Sequence, residues 1–143
     1  WVDSGGILRH TYSLLGVETY QQAASKPLPT GEVQVTMLFE SAEPKPGSGG
    51  HVTLLVDGEA VGEGDMPQTV PVTFTSYAGM DIGKDYGLVV DRAYEDRAPY
   101  AFTGTVKRVV FDLSPVGSSA RHEDAHDLHH HGQVQGVAAG VAS

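Results

Sequence analysis

One two-residue turn, Asp57-Gly58, constrains the fold of this chain more than any other feature. It separates two runs of β-forming residues, and an Asp-Gly pair readily adopts the two positive φ angles of a type I′ hairpin turn. Before the turn, Val52, Leu54 and Val56 alternate with other residues, so one face of that strand is apolar. The sequence therefore predicts a β-hairpin within residues 51–64.

The same alternation recurs elsewhere. Residues 32–39 place four large apolar side chains on one face of a predicted strand: Val33, Val35, Met37 and Phe39. Further strands are expected at 7–15, 17–22, 70–77 and 100–113, with a long loop at 78–99. Turn signals separate these runs and helical periodicity is missing before the chain's end. The pattern predicts an all-β, antiparallel β-sandwich.

Composition divides the chain near residue 113. The predicted strands lie within residues 1–113, whereas Gly, Ser, Ala and His dominate from Ser114 onward. We expect a β-sandwich domain over 1–113 and a flexible tail over 114–143 that contributes little to the core. Because the chain opens on Trp1 without an initiator Met, we interpret it as a fragment of a longer polypeptide.

Charge and composition argue against several classes of partner. The chain has 9 Lys and Arg against 18 Asp and Glu, a net charge of −9, which disfavours nucleic acids and anionic membranes. It has 0 Cys, which excludes disulfides, thiolate metal sites and a cysteine nucleophile. No apolar run approaches the ~20 residues of a membrane span, and no signal peptide is recognisable, so localisation stays open.

The tail contains a histidine cluster. His122-Glu123-Asp124-Ala125-His126 has the spacing of a zinc protease motif, but the surrounding Gly- and Ala-rich sequence offers no substrate cleft or third ligand. The milder hypothesis is adventitious binding of zinc or nickel. Its expected ligands are His122, His126, His129 and His130.

A second candidate metal site lies in the Asp- and Gly-rich segment 81–87. Asp81 and Asp85 are separated by residues that permit tight turns, so their carboxylates could supply oxygen ligands for calcium. The alternative is a structural turn, since Asp and Gly are the usual turn residues. Both interpretations stay open at this point.

Aromatic residues suggest carbohydrate binding as a third possibility. If they are exposed, the following aromatic side chains could form a platform on which sugar rings stack: Trp1, Tyr77, Tyr86, Tyr94 and Tyr100. The alternative is that these rings belong to the core. His10 and His51 are expected to be surface or turn residues.

Seven segments in a consistent order resemble the C-terminal β-sandwich region of large bacterial arylsulfatases. They are Ser25–Gly31, Glu32–Phe39, Val52–Gly58, Val61–Gly64, Thr69–Phe74, Asp81–Gly87 and Tyr100–Val106. The resemblance covers roughly residues 1–113 and implies a concanavalin-like jelly roll. It also implies a noncatalytic accessory role, packing on a catalytic sulfatase domain of the same polypeptide or shaping access to it.

The resemblance further implies that the parent enzyme uses formylglycine and calcium to hydrolyse sulfate esters. The family's nucleophile motif, Cys or Ser-x-Pro-x-Arg, does not occur in this sequence; Ser25–Pro29 comes closest but lacks the Arg. No catalytic residue and no cofactor are therefore expected in this segment. The alternative function is a stand-alone carbohydrate-binding β-sandwich module with a glycan as its partner.

Overall fold

The computed structural model describes residues 1–72, 80–86 and 88–113, together with the backbone of 135–142. Within these residues almost all regular structure is β. The strands are β1 (Ile7–Leu14), β2 (Glu18–Pro27), β3 (Val33–Ser41), β4 (Ser48–Val56), β5 (Glu59–Gln68), β6 (Lys84–Asp85), β7 (Tyr100–Ala101), β8 (Thr105–Asp112) and β9 (Gln135–Ala142). A 3₁₀ helix spans Arg92–Arg97. No helix of the described residues is long and apolar enough to cross a membrane.

The strands form three antiparallel sheets. β1 and β2 form a hairpin, β6 and β7 form a short two-stranded sheet, and the largest sheet has the strand order β5-β4-β3-β9-β8. The expectation of an all-β, antiparallel chain is therefore confirmed.

The hairpin predicted at Asp57-Gly58 is confirmed. Asp57 has φ 50° and Gly58 has φ 82°, the two positive angles of a type I′ turn, and Val56 pairs with Glu59 across it. The Asp57 carboxylate also accepts a hydrogen bond of 2.8 Å from the backbone N–H of Gln34 on β3. The turn residue thus links the hairpin to the next strand of the sheet.

The core lies between the β1–β2 hairpin and one face of the five-stranded sheet. Its buried residues are Leu8, Ala24, Val52, Leu54, Val61 and Met66. Val56, Val35, Met37 and Phe39 pack against this cluster, and Val33 is buried, as the alternation predicts. Burial of these side chains is the main favourable contribution to folding.

Three features differ from expectation. Residues 135–142, assigned to the tail, form β9 between β3 and β8. This placement needs partners far away in sequence, which alternation within the tail does not reveal. The loop expected at 78–99 contains β6 and the 3₁₀ helix. Of the strand predicted at 70–77, Val70–Val72 lie outside strands, and residues 73–77 lie outside the described residues.

Candidate functional site

A cleft of about 510 Å³ opens at the free edge of β1. Trp1, Val2 and residues 8–11 form one wall, and Val35 of β3 and Val106 of β8 form the floor. The opposite wall comes from residues 81–102, including Leu88 and Val90. The cleft therefore lies where the hairpin, the large sheet and the 3₁₀ segment meet.

Three rings on the walls of this cleft contact one another; we call Trp1, Tyr94 and Tyr100 the aromatic cluster. Tyr94 stacks on Tyr100 with ring centroids 4.6 Å apart, and Trp1 approaches both tyrosines edge-on, at 5.0 and 5.9 Å. Contacts of this kind each contribute ~0.5–1.5 kcal/mol beyond the area that they bury. The cluster thus resembles a small second core.

The polar ends of the aromatic cluster are also bonded within the protein. Trp1 Nε1 donates to Thr11 Oγ1, the Tyr94 hydroxyl donates to Asp85, and the Tyr100 hydroxyl donates to the carbonyl of Val2. Tyr94 is only 3% exposed. Burial, followed by the hydrogen bond to Asp85, raises the pKa of the Tyr94 phenol well above its usual value, so it remains a donor at neutral pH.

Two guanidinium groups lie over rings of the aromatic cluster. The Arg97 guanidinium lies 5.1 Å from the centre of the Tyr100 ring, and that of Arg9 lies 5.7 Å from the Trp1 ring. Of the aromatic residues predicted to stack on sugars, Tyr86 is exposed and Tyr77 lies outside the described residues. The cluster's rings are therefore engaged internally, as the alternative core interpretation predicts.

Asp91 attaches the segment that contains the 3₁₀ helix to the β1–β2 hairpin. It is 4% exposed, and its carboxylate accepts hydrogen bonds from Thr11 Oγ1 at 2.7 Å, Gln21 Nε2 at 2.6 Å and the backbone N–H of Ala93 at 2.8 Å. Burial alone would raise the pKa of Asp91, but these hydrogen bonds outweigh it and hold the pKa below its ordinary value. Asp91 also caps the 3₁₀ helix.

His10 lines the cleft beside Leu8, where sequence analysis expected a surface or turn residue. Its Nδ1 lies 2.7 Å from Gln22 Oε1. Burial lowers the pKa of His10, and the bond to Gln22 offsets this only in part. The signal was present in the sequence, because His10 shares the period-2 face of Leu8 and Tyr12.

Five exposed apolar side chains lie between Met80 and Val90, and two of them, Leu88 and Val90, line the cleft; we call the five the apolar rim. They are Met80, Ile82, Tyr86, Leu88 and Val90. Leu88 is 89% exposed. Scattered single exposures are normal on a protein surface, whereas five within eleven residues make this segment a candidate interaction surface.

The two carboxylates predicted to bind calcium take part in local hydrogen bonds. Asp81 Oδ2 accepts from the N–H of Tyr86 at 2.7 Å, and Asp85 Oδ2 accepts from the Tyr94 hydroxyl at 2.8 Å. Across residues 1–72, 80–86 and 88–113, no three His, Asp or Glu side chains group in a way that could hold a metal ion. These bonds are those of a turn, and the calcium site stays a prediction.

The predicted histidine ligands His122, His126, His129 and His130 lie outside the described residues.

Among the described histidines, His51 faces carboxylates: its Nδ1 lies 2.7 Å from Asp65, and its Nε2 lies 3.6 Å from Glu63. The nearby Ser48 falls on the opposite face of β4, because it is three residues away along a strand. These residues cannot form a Ser-His-Asp arrangement.

Comparisons with known proteins assign no family. No family model, no curated protein and no solved structure matches the chain. The cleft, its rim and the sequence resemblance are therefore the observations that bear on function.

Proposed function

We propose that this chain is a noncatalytic accessory domain that docks on a neighbouring protein domain through the apolar rim. The sequence resemblance favours the catalytic domain of an arylsulfatase-like enzyme in the same polypeptide as that neighbour. In this proposal the hairpin and the large sheet are the two layers of a jelly-roll sandwich. Calcium and formylglycine belong to the parent enzyme.

The exposure of the apolar rim carries the proposal. Leaving large apolar side chains in water forgoes about 1.5–3 kcal/mol for each one that could otherwise be buried. Ile82, Leu88 and Val90 all lie in one short segment, and Leu88 and Val90 line the cleft. A docked neighbour would bury them together, which is how a domain surface separated from its partner is expected to look.

The alternative function, a stand-alone carbohydrate-binding module, receives less support. Sugar stacking needs free ring faces, whereas Tyr94 is buried and stacks on Tyr100, over which Arg97 also lies. A glycan array with the isolated chain distinguishes the two functions. Specific glycan binding would favour the alternative and count against docking as the main role.

The docking proposal is tested in the native polypeptide, beginning with its sequence or intact mass. A Cys or Ser-x-Pro-x-Arg motif upstream would identify a sulfatase parent, and a native product of about this chain's 15.1 kDa would refute a neighbour in the same chain. In a larger parent, Leu88→Glu is expected to lower the melting temperature and any arylsulfatase activity by disrupting docking.

Val17→Glu is the matched control for Leu88→Glu. Val17 is 84% exposed, and it lies in the β1–β2 turn outside the rim. The same substitution there should leave both readouts unchanged, because no docked surface is disturbed. Equal effects of the two variants would refute the assignment of the rim as the docking surface.

A further inference from the structure

We propose that the cleft at the edge of β1 binds a small, uncharged, ring-containing molecule that carries a hydroxyl group, with phenol as the simplest representative. This inference does not depend on docking, because it concerns the interior of the cleft in the isolated chain.

The size and walls of the cleft suit such a molecule. Its volume of about 510 Å³ falls within the ~300–1,000 Å³ typical of ligand pockets. The walls include Leu8, Val35 and Val106 from three different strands, besides the rings of Trp1 and Tyr100. An apolar ring placed here would exchange water for these side chains, which is the main source of affinity for small ligands in such sites.

The charged groups on the walls already have partners, which disfavours a charged ligand. Arg9 Nε lies 2.7 Å from Asp3, and the Asp85 carboxylate accepts from Tyr94. Lys84 Nζ donates to the Tyr86 hydroxyl at 3.1 Å and lies over that ring. A charged ligand would lose its hydration here and meet lining groups that already have hydrogen-bond partners, so a neutral one binds at lower cost.

His10 supplies the polar specificity. Gln22 Oε1 can only accept, so the contact with His10 Nδ1 assigns the proton to Nδ1. Burial favours the neutral ring by lowering the pKa of His10. Neutral His10 therefore has Nε2 as a hydrogen-bond acceptor, which matches a ligand that donates a hydroxyl proton.

Trp1 provides a direct test of this inference, because it is the single Trp of the sequence and it lines the cleft. Its fluorescence is followed while the chain is titrated with phenol, toluene and benzoate. Phenol should give a saturable change. Toluene lacks the donor and benzoate carries a charge, so each is expected to bind roughly tenfold more weakly than phenol.

Two variants test where phenol binds. Val106→Phe fills the floor of the cleft and should abolish the saturable response, whereas Val110→Phe, on an exposed position of the same strand, should preserve it. His10→Phe keeps an aromatic ring but removes the acceptor, so phenol should lose its advantage over toluene. Circular dichroism verifies that each variant is folded.

Two results would overturn the inference. One is the lack of a saturable response to all three probes in the unmodified chain. The other is a phenol response that Val106→Phe leaves intact, since the molecule would then bind elsewhere. Should His10→Phe fail to fold, the ranking of phenol, toluene and benzoate on the unmodified chain still decides the specificity.

Discussion

Gly62 is the position where the packing of the hairpin on the sheet can be tested most sharply. It lies on β5, beneath β2, and a Cβ added there would stand 2.3 Å from the carbonyl oxygen of Ala23 and 3.2 Å from the backbone N of Ala24. Ordinary van der Waals contacts of a Cβ start at 3.4 Å. Because the obstacle is backbone, no side-chain rotation relieves it, and β2 must move away from β5 by about 1 Å.

The predicted cost of Gly62→Ala follows from that displacement. Overpacking of this kind costs about 1–3 kcal/mol in free energy of unfolding, and it also loosens the contacts of Ala24 with the core. At roughly 3–5 °C per kcal/mol for a chain of this size, the melting temperature should fall by about 3–15 °C. Thermal and urea unfolding followed by circular dichroism measure both quantities.

Two neighbouring substitutions control this prediction. Gly64→Ala meets the Gln22 side chain, with Cγ at 3.0 Å, so it should cost less than Gly62→Ala, since a side chain can adjust. Glu63→Ala, at an exposed position, should stay within about 0.5 kcal/mol of the unmodified chain. If all three variants unfold alike, the close crossing of β2 over β5 is wrong.

The remaining predictions concern single side chains and are measured by equilibrium unfolding. Leu54→Ala, at 2% exposure, should cost about 2–5 kcal/mol; a loss below 1 kcal/mol would contradict its place in the core. Asp57→Asn should be nearly neutral, whereas Asp57→Val, forced to φ 50°, should cost about 1–2 kcal/mol; equal effects would contradict the turn. Asp91→Asn should cost about 1–3 kcal/mol, because Oδ2 accepts two donors, and the advantage of Asp91 should shrink as pH falls through its lowered pKa. His51 donates a hydrogen bond to the Asp65 carboxylate, and this bond raises the pKa of His51. Their pairing should therefore stabilise the fold below about pH 6.5 and lose its effect, at most ~0.5 kcal/mol, as pH rises through the raised pKa; Asp65→Asn should remove this dependence.

Local chemistry explains which parts of the fold could be predicted. The type I′ turn at Asp57-Gly58 depends on two residues that tolerate positive φ, and the buried face of β3 depends on period-2 alternation from Val33 to Phe39. Both signals are complete within a few neighbouring residues. The sequence alone therefore determined the all-β class, the central hairpin and the side of β3 and β4 that faces the core.

Only the tertiary structure decided how distant segments meet. Asp91 reaches Thr11 across 80 positions of the chain, and β9 enters the sheet beside β3, although nothing local distinguishes either partner. The same holds for the cleft, whose walls come from β1, the large sheet and residues 81–102. Contacts between segments far apart in sequence depend on how whole strands pack. Turns and alternation depend on neighbouring residues, and a pattern in the sequence records only these local features.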